Sequence, residues 1–238
     1  MSENRERCDV GLKKQQGIQS VKFEEPPIIC AAASVVGQKE GDGPFGDVFD
    51  QIESDPKVGG DTWEDAEGRL QERAAELAIQ KAGCGKEAIR YIVAGDLLGQ
   101  LMASSFGLAG FDKPLFGVYG ACSTMGESIG IGSMLVEGGF ADYVLAMTSS
   151  HFASAEKQFR FPLGYANQRP KASTWTVTGS GAVVICKGDQ KQGMAKITGI
   201  TTGKIVDYGV KDTMNMGACM APAAASVVAA HFKDFGTD

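Results

Sequence analysis

The stretch "GVYGACSTMGES", residues 117–128, decides how this chain is read. An apolar run turns into a helix here, and Cys122 stands at the junction among residues small enough to let another molecule approach. Backbone N–H groups and the helix dipole at such a turn stabilise a thiolate, which gives Cys122 the setting of an acyl-transfer nucleophile. The same groups can instead hold an anion such as a carboxylate. Ser123 and Thr124 add hydroxyls in the first turn, to be read either as helix caps or as ligand contacts.

Working outward, strands and helices alternate. "PPIICAAASVVG" (26–37) reads as a buried strand closed by glycine, and 38–61 as a loop-rich excursion. Asp61 or Thr62 then caps a helix that presents Leu70, Ala74, Leu77 and Ala78 on one face and stops at Gly83. "AIRYIVAGDLL" is a strand ending at Asp96, followed by a short helix and the strand "PLFGVYG". After the Cys122 helix, "ADYVLAMTSSH" is apolar on both faces, as a central parallel strand should be, and "TVTGSGAVVICKG" is a further strand. The pattern predicts a layered α/β fold with a mainly parallel central sheet. Ligands gather beyond the carboxyl ends of such strands. Asp96, the Cys122 turn and Ser149-Ser150-His151 all fall there and are expected to converge. The last stretch, "MAKITGITTGKIVDYG" and "MAPAAASVVAAHFKDFG", reads as a strand and a helix with Pro222 in its first turn.

A cysteine nucleophile needs a base, usually histidine, and the chain has two: His151 at a strand end and His231, which reads as half-buried in the final helix. Asp96 could orient a histidine, hold a cation or cap the next turn. "EKQFRFPLGYANQRP" (156–170) sets Lys157, Arg160 and Arg169 among Phe159, Phe161 and Tyr165 in a loop. Cations beside aromatic rings suit a planar, carboxylated ligand, and they also suit packing on a neighbouring subunit.

Composition bounds the function. The 23 basic and 29 acidic residues give a net charge of −6, which argues against nucleic acid as the main partner. Six scattered cysteines without a C-x-x-C pair form neither a zinc site nor a disulfide framework, so no metal site is expected. No apolar run reaches the roughly 18 residues of a membrane span, and the polar start lacks a signal-peptide core. Residues 1–25 read as a polar N-terminal arm and 26–190 as one unit, while the strand and helix of 191–238 either extend its sheet or begin a second unit.

"GACST" before a helix, "GGFADYVLAMTSSH", "EKQFRFPLGY", "TVTGSGAVVI" and "MGACMAPAAASVVAAHFKDF" in this order resemble the stage V sporulation protein AD family, from about residue 21 onward. The resemblance implies a thiolase-like α-β-α architecture of two similar halves, of which the second is incomplete here. It also implies binding of dipicolinic acid, free or as its calcium chelate, for uptake into the developing spore, with no cofactor and no demonstrated acyl transfer. Cys122 matches the thiolase nucleophile position. Ligand contacts are then expected from Cys122, Ser123, Thr124, Asp96, Ser150, His151 and Arg160. Partners would be other proteins of the same sporulation operon at the spore inner membrane, which the chain would join peripherally. A homodimer paired through the strand at 142–150 is a further expectation.

Overall fold

The computed structural model describes residues 14–159, 175–188, 193–212 and 215–237. In chain order its elements are β1 (Gln15–Gln16), β2 (Ser20–Lys22), β3 (Ile28–Gly37), α1 (Gln38–Gly41), β4 (Gln51–Glu53), α2 (Trp63–Ala82), β5 (Ile89–Gly95) and α3 (Met102–Gly107). There follow β6 (Leu115–Gly117), α4 (Thr124–Glu137), β7 (Tyr143–Ser150), α5 (Phe152–Phe159), β8 (Gly179–Cys186), β9 (Ala195–Lys196), β10 (Gly199–Thr201) and α6 (Met216–Phe235). They divide into a unit spanning Pro27–Lys196 and a smaller unit from the two flanking segments.

In the larger unit the strand order is β4-β3-β8-β7-β5-β6, with β9 beside β3. The β3–β4, β7–β5 and β5–β6 pairs are parallel, and β8 is antiparallel to both β3 and β7. Five strands therefore run one way, while β8 and β9 oppose them. The apolar runs of β3, β7 and β8 occupy the middle of the sheet, where helices cover both faces. Residues alternate between those faces. Ala94, Leu145, Met147 and Val184 join the core under α2, with Leu70, Ala74 and Ala78 fully buried against them. The other face belongs to α4: a methyl at Gly132 would touch Ile185, Val144 and Ala146.

Local chemistry explains α2. The Thr62 hydroxyl accepts the Asp65 N–H at 3.1 Å as N-cap, and Gly83 ends the helix at φ 60°. Asp65 reaches back to the Asp61 N–H instead of closing a full capping box on Thr62. Gly68 lets α3 lie directly against α2; a methyl on Gly107 would stand 2.4 Å from the Gly68 carbonyl oxygen.

The smaller unit pairs β1, β2 and β10 in one antiparallel sheet. Asp234 of α6 accepts the N–H groups of Ile18 and Gln19 and the Ser20 hydroxyl, at 3.0, 3.1 and 2.7 Å. These bonds, the Ile18 N–H first, hold its carboxyl below the usual range. Gly17, at φ 61°, is required beside it, since any side chain there would strike the carboxylate.

The structure corrects several expectations. The stretch 194–209 is not one strand: β9 belongs to the large sheet and β10 to the small one. Pro222 lies inside α6, not in its first turn, because Asn215 caps the helix well upstream through the Ala218 N–H. His231 is exposed. Lys157 and Phe159 sit on α5, not on a loop, and residues 160–170 lie outside the described residues. Finally, β7 is bonded on both edges, to β5 and β8, so it has no free edge through which a second copy could pair.

Candidate ligand site at the Cys122 turn

The site grows from the end of β6. Val118 is buried and its N–H donates to the Ala94 carbonyl at 2.9 Å, extending the chain along β5. The Ser123 N–H and hydroxyl both donate to the Gly120 carbonyl, at 2.9 and 2.8 Å, and the Gly120 N–H donates to the Thr124 hydroxyl at 3.2 Å. Three residues thus tie the turn to itself. Ala121 takes φ 47°, a left-handed conformation that costs a non-glycine residue on the order of 1–2 kcal/mol. That strained step precedes Cys122, which is exposed ahead of α4. Thr124 is buried, and Gly95 makes room for it: a methyl on Gly95 would meet the Val118 oxygen at 2.0 Å and the Thr124 methyl at 2.7 Å.

The strand ends carry the other expected residues, but the pleat divides them. Alternating with Ala146 and Thr148, Ser150 lies on the α4 face, and its hydroxyl donates to the Val177 carbonyl at 2.5 Å. Asp96 and His151 lie on the opposite face. The Asp96 carboxylate accepts the Leu98 N–H on one oxygen and the N–H and hydroxyl of Ser104 on the other, which caps the segment leading into α3. The His151 ring is fully buried against Trp63, the first residue of α2, and Phe152. Its Nδ1 accepts the Ala153 N–H at 3.1 Å, so Nε2 carries the proton donated to the Pro56 carbonyl at 2.7 Å. Burial pushes its pKa below the ordinary value, against the weaker pull of that carbonyl and Glu40. Both nitrogens are engaged and the ring is neutral, so His151 is not arranged as a base for Cys122. Arg160 lies outside the described residues.

The model for stage V sporulation protein AD matches residues 17–238. The stage V sporulation protein AD of Bacillus subtilis (strain 168) is 44% identical over 221 residues, 93% of this chain and 64% of that protein. This chain belongs to the stage V sporulation protein AD family. It spans somewhat less than two thirds of that curated relative. Among solved structures, an OleA of Xanthomonas campestris bound with cerulenin superposes with a TM-score of 0.54 at 16% identity, over 94% of this chain and 73% of that one. The 3-oxoacyl-(acyl carrier protein) synthase III of Xanthomonas oryzae pv. oryzae gives 0.51 at 16% identity, over 94% and 75%. At such identity the likeness fixes the fold alone, and that fold is thiolase-like.

In this family member the sequence reading missed a buried polar cluster on the α2 face. Glu67 and Gln71 of α2 are fully buried. The Gln71 amide donates to the hydroxyls of Ser104 and Ser149, at 2.9 and 2.7 Å. Ser149 in turn donates to Glu67 Oε1 at 2.9 Å, and Ser154 lies 2.5 Å from Glu67 Oε2. Burial pushes the Glu67 carboxyl up to about 7, against the opposing pull of the two serine hydroxyls. A signal was present: two polar residues four apart interrupt the face marked by Leu70, Ala74 and Ala78.

Proposed function

We propose that this chain binds dipicolinic acid, as its calcium chelate, for uptake into the developing spore, and that it does so without acyl transfer. One carboxylate of the ligand lies at the start of α4, beside Cys122, Ser123 and Thr124. Tyr119, 54% exposed two residues before Ala121, offers an aromatic face to the pyridine ring. Membership of the sporulation family supports the process. The observation that carries the non-enzymatic reading is the placement of His151, neutral and hydrogen-bonded through both nitrogens on the face of the sheet away from Cys122. Action alongside the operon's other proteins at the inner spore membrane belongs to the same proposal; among the described residues no helix is long and apolar enough to cross a membrane.

Calorimetric titration with calcium dipicolinate tests it. Saturable binding is expected, weakened at least tenfold in the Cys122→Ala/Ser123→Ala double variant. No binding, or binding untouched by the double substitution, overturns the site. The exposed Cys122 behind a strained Ala121 favours a second reading, acyl transfer with Cys122 as nucleophile. It requires a covalent adduct on Cys122 by intact-mass spectrometry with acyl thioesters, and absence of that adduct across several donors removes it.

A further inference from the structure

The cluster under α2 poses a hydrogen-bond problem: even with both Gln71 amide hydrogens placed, its buried Oε1 has no partner among the described residues. Starting from Asp96, whose carboxylate only accepts, each hydrogen is assigned in turn. The Ser104 hydroxyl donates to Asp96 at 2.6 Å, Gln71 donates both amide hydrogens to Ser104 and Ser149, and Ser149 donates its only hydroxyl hydrogen to Glu67 Oε1. Ser154 is left with one hydrogen and two oxygen neighbours, Glu67 Oε2 at 2.5 Å and the His151 carbonyl at 3.0 Å. Each contact has a hydrogen of its own, instead of sharing the Ser154 one, when Glu67 supplies a proton: Oε2–H donates to Ser154, and Ser154 donates to the His151 carbonyl. An ionised Glu67 would instead draw the Ser154 hydrogen to itself and weaken the link to His151.

We propose that the buried Glu67 carboxyl is protonated in the folded protein and serves as a pH-sensitive clasp, closing α2 onto the start of α5 when protonated and loosening it when ionised. The charged surroundings favour the closed state. Glu64 on the same helix and Asp96 beyond β5 both oppose a new negative charge. Lys157 of α5 is already paired with Glu64 at 2.6 Å, and His151, from the end of β7, is neutral. Among the described residues no cation is paired with Glu67 to balance its ionisation. The clasp lies next to Ser150 in the chain, so it sets how rigidly that strand end is held whether or not a ligand binds nearby.

The test uses the ligand-free full chain. Infrared difference spectra between about pH 5 and about pH 8 are expected to show a protonated carboxyl band that disappears on raising the pH and is absent in Glu67→Gln. In parallel, hydrogen exchange of 152–159, corrected for the intrinsic pH dependence of exchange, is expected to lose protection with rising pH by up to about tenfold per unit, the limit for one coupled proton. Glu67→Gln, which keeps both contacts through its amide, is expected to flatten that profile, and Ser154→Ala to lower protection at every pH. An unchanged infrared difference spectrum in Glu67→Gln, or an exchange profile as steep in both variants as in the parent, overturns the clasp. Neither readout depends on dipicolinate, so failure of the ligand proposal leaves this one standing, and the reverse.

Discussion

Gly95→Ala is the sharpest test of how the Cys122 turn is seated. Gly95 ends β5, and its missing side chain points into the start of α4. A methyl there would lie 2.0 Å from the Val118 oxygen, where ordinary contact begins at 3.4 Å, so the Val118 carbonyl must retreat by 3.4 − 2.0 = 1.4 Å. The Thr124 methyl, at 2.7 Å, blocks the alternative of moving toward the helix. Because Thr124 also holds the Gly120 N–H, the displacement spreads to the strained Ala121 step. Overpacking of this kind costs about 1–3 kcal/mol. At about 2 kcal/mol, melting falls by roughly 4–8 °C for a chain of this size. Thermal unfolding followed by circular dichroism measures the loss, with the rate of thiol labelling at Cys122 reporting the turn. Gly126→Ala is the control: it lies in the same helix with nothing within 4 Å of the added methyl, and should stabilise by about 0.5–1 kcal/mol. A Gly95→Ala protein as stable as its parent, with unchanged labelling, would refute the packing of α4 on β5 described here.

Three further outcomes are expected. Glu67 is raised in the folded state from 4.5 to about 7, so its stabilising effect is complete below 4.5 and is lost as pH rises through 7. Denaturant titrations should show the stability of the parent relative to Glu67→Gln falling by about 3 kcal/mol across that window, the difference removing the His151 titration common to both. His151 has the opposite sign: its depressed pKa adds stability present above 6.5 and lost on acidification, so Glu67→Gln should lose stability as pH falls below 6.5, and nitrogen-15 spectra at neutral pH should show a proton on Nε2 alone. Leu70→Ala, which empties a fully buried position facing the sheet, should cost about 2–5 kcal/mol in urea unfolding with little effect on Cys122 labelling.

Much of the larger unit was legible because its signals are local. The Thr62 cap, the Gly83 stop and the Leu70, Ala74, Ala78 stripe mark α2 within one window of sequence, and uninterrupted apolar runs mark β3, β7 and β8. The Cys122 turn was legible for the same reason, although its helix begins at Thr124 after a tighter turn. Pro222 misled because proline favours a first turn, whereas here the Asn215 cap starts α6 earlier. The β9–β10 stretch misled because a continuous run of strand-forming residues hides a change of sheet.

By itself, then, the sequence determined the main strands and helices of the larger unit, the small-residue turn that carries Cys122, and the family. Which face of the sheet each residue meets was decided only by the tertiary structure. Adjacent residues on a strand point to opposite sides, so Ser150 and His151 part company at one strand end. The helix each one meets depends on pairings between segments far apart in the chain. The same long-range closure makes the Glu67 cluster, whose serine partners lie 82 and 87 residues away. No local pattern encodes a contact of that span, because its hydrogens find their acceptors only once the sheet has brought α2, β7 and α5 together.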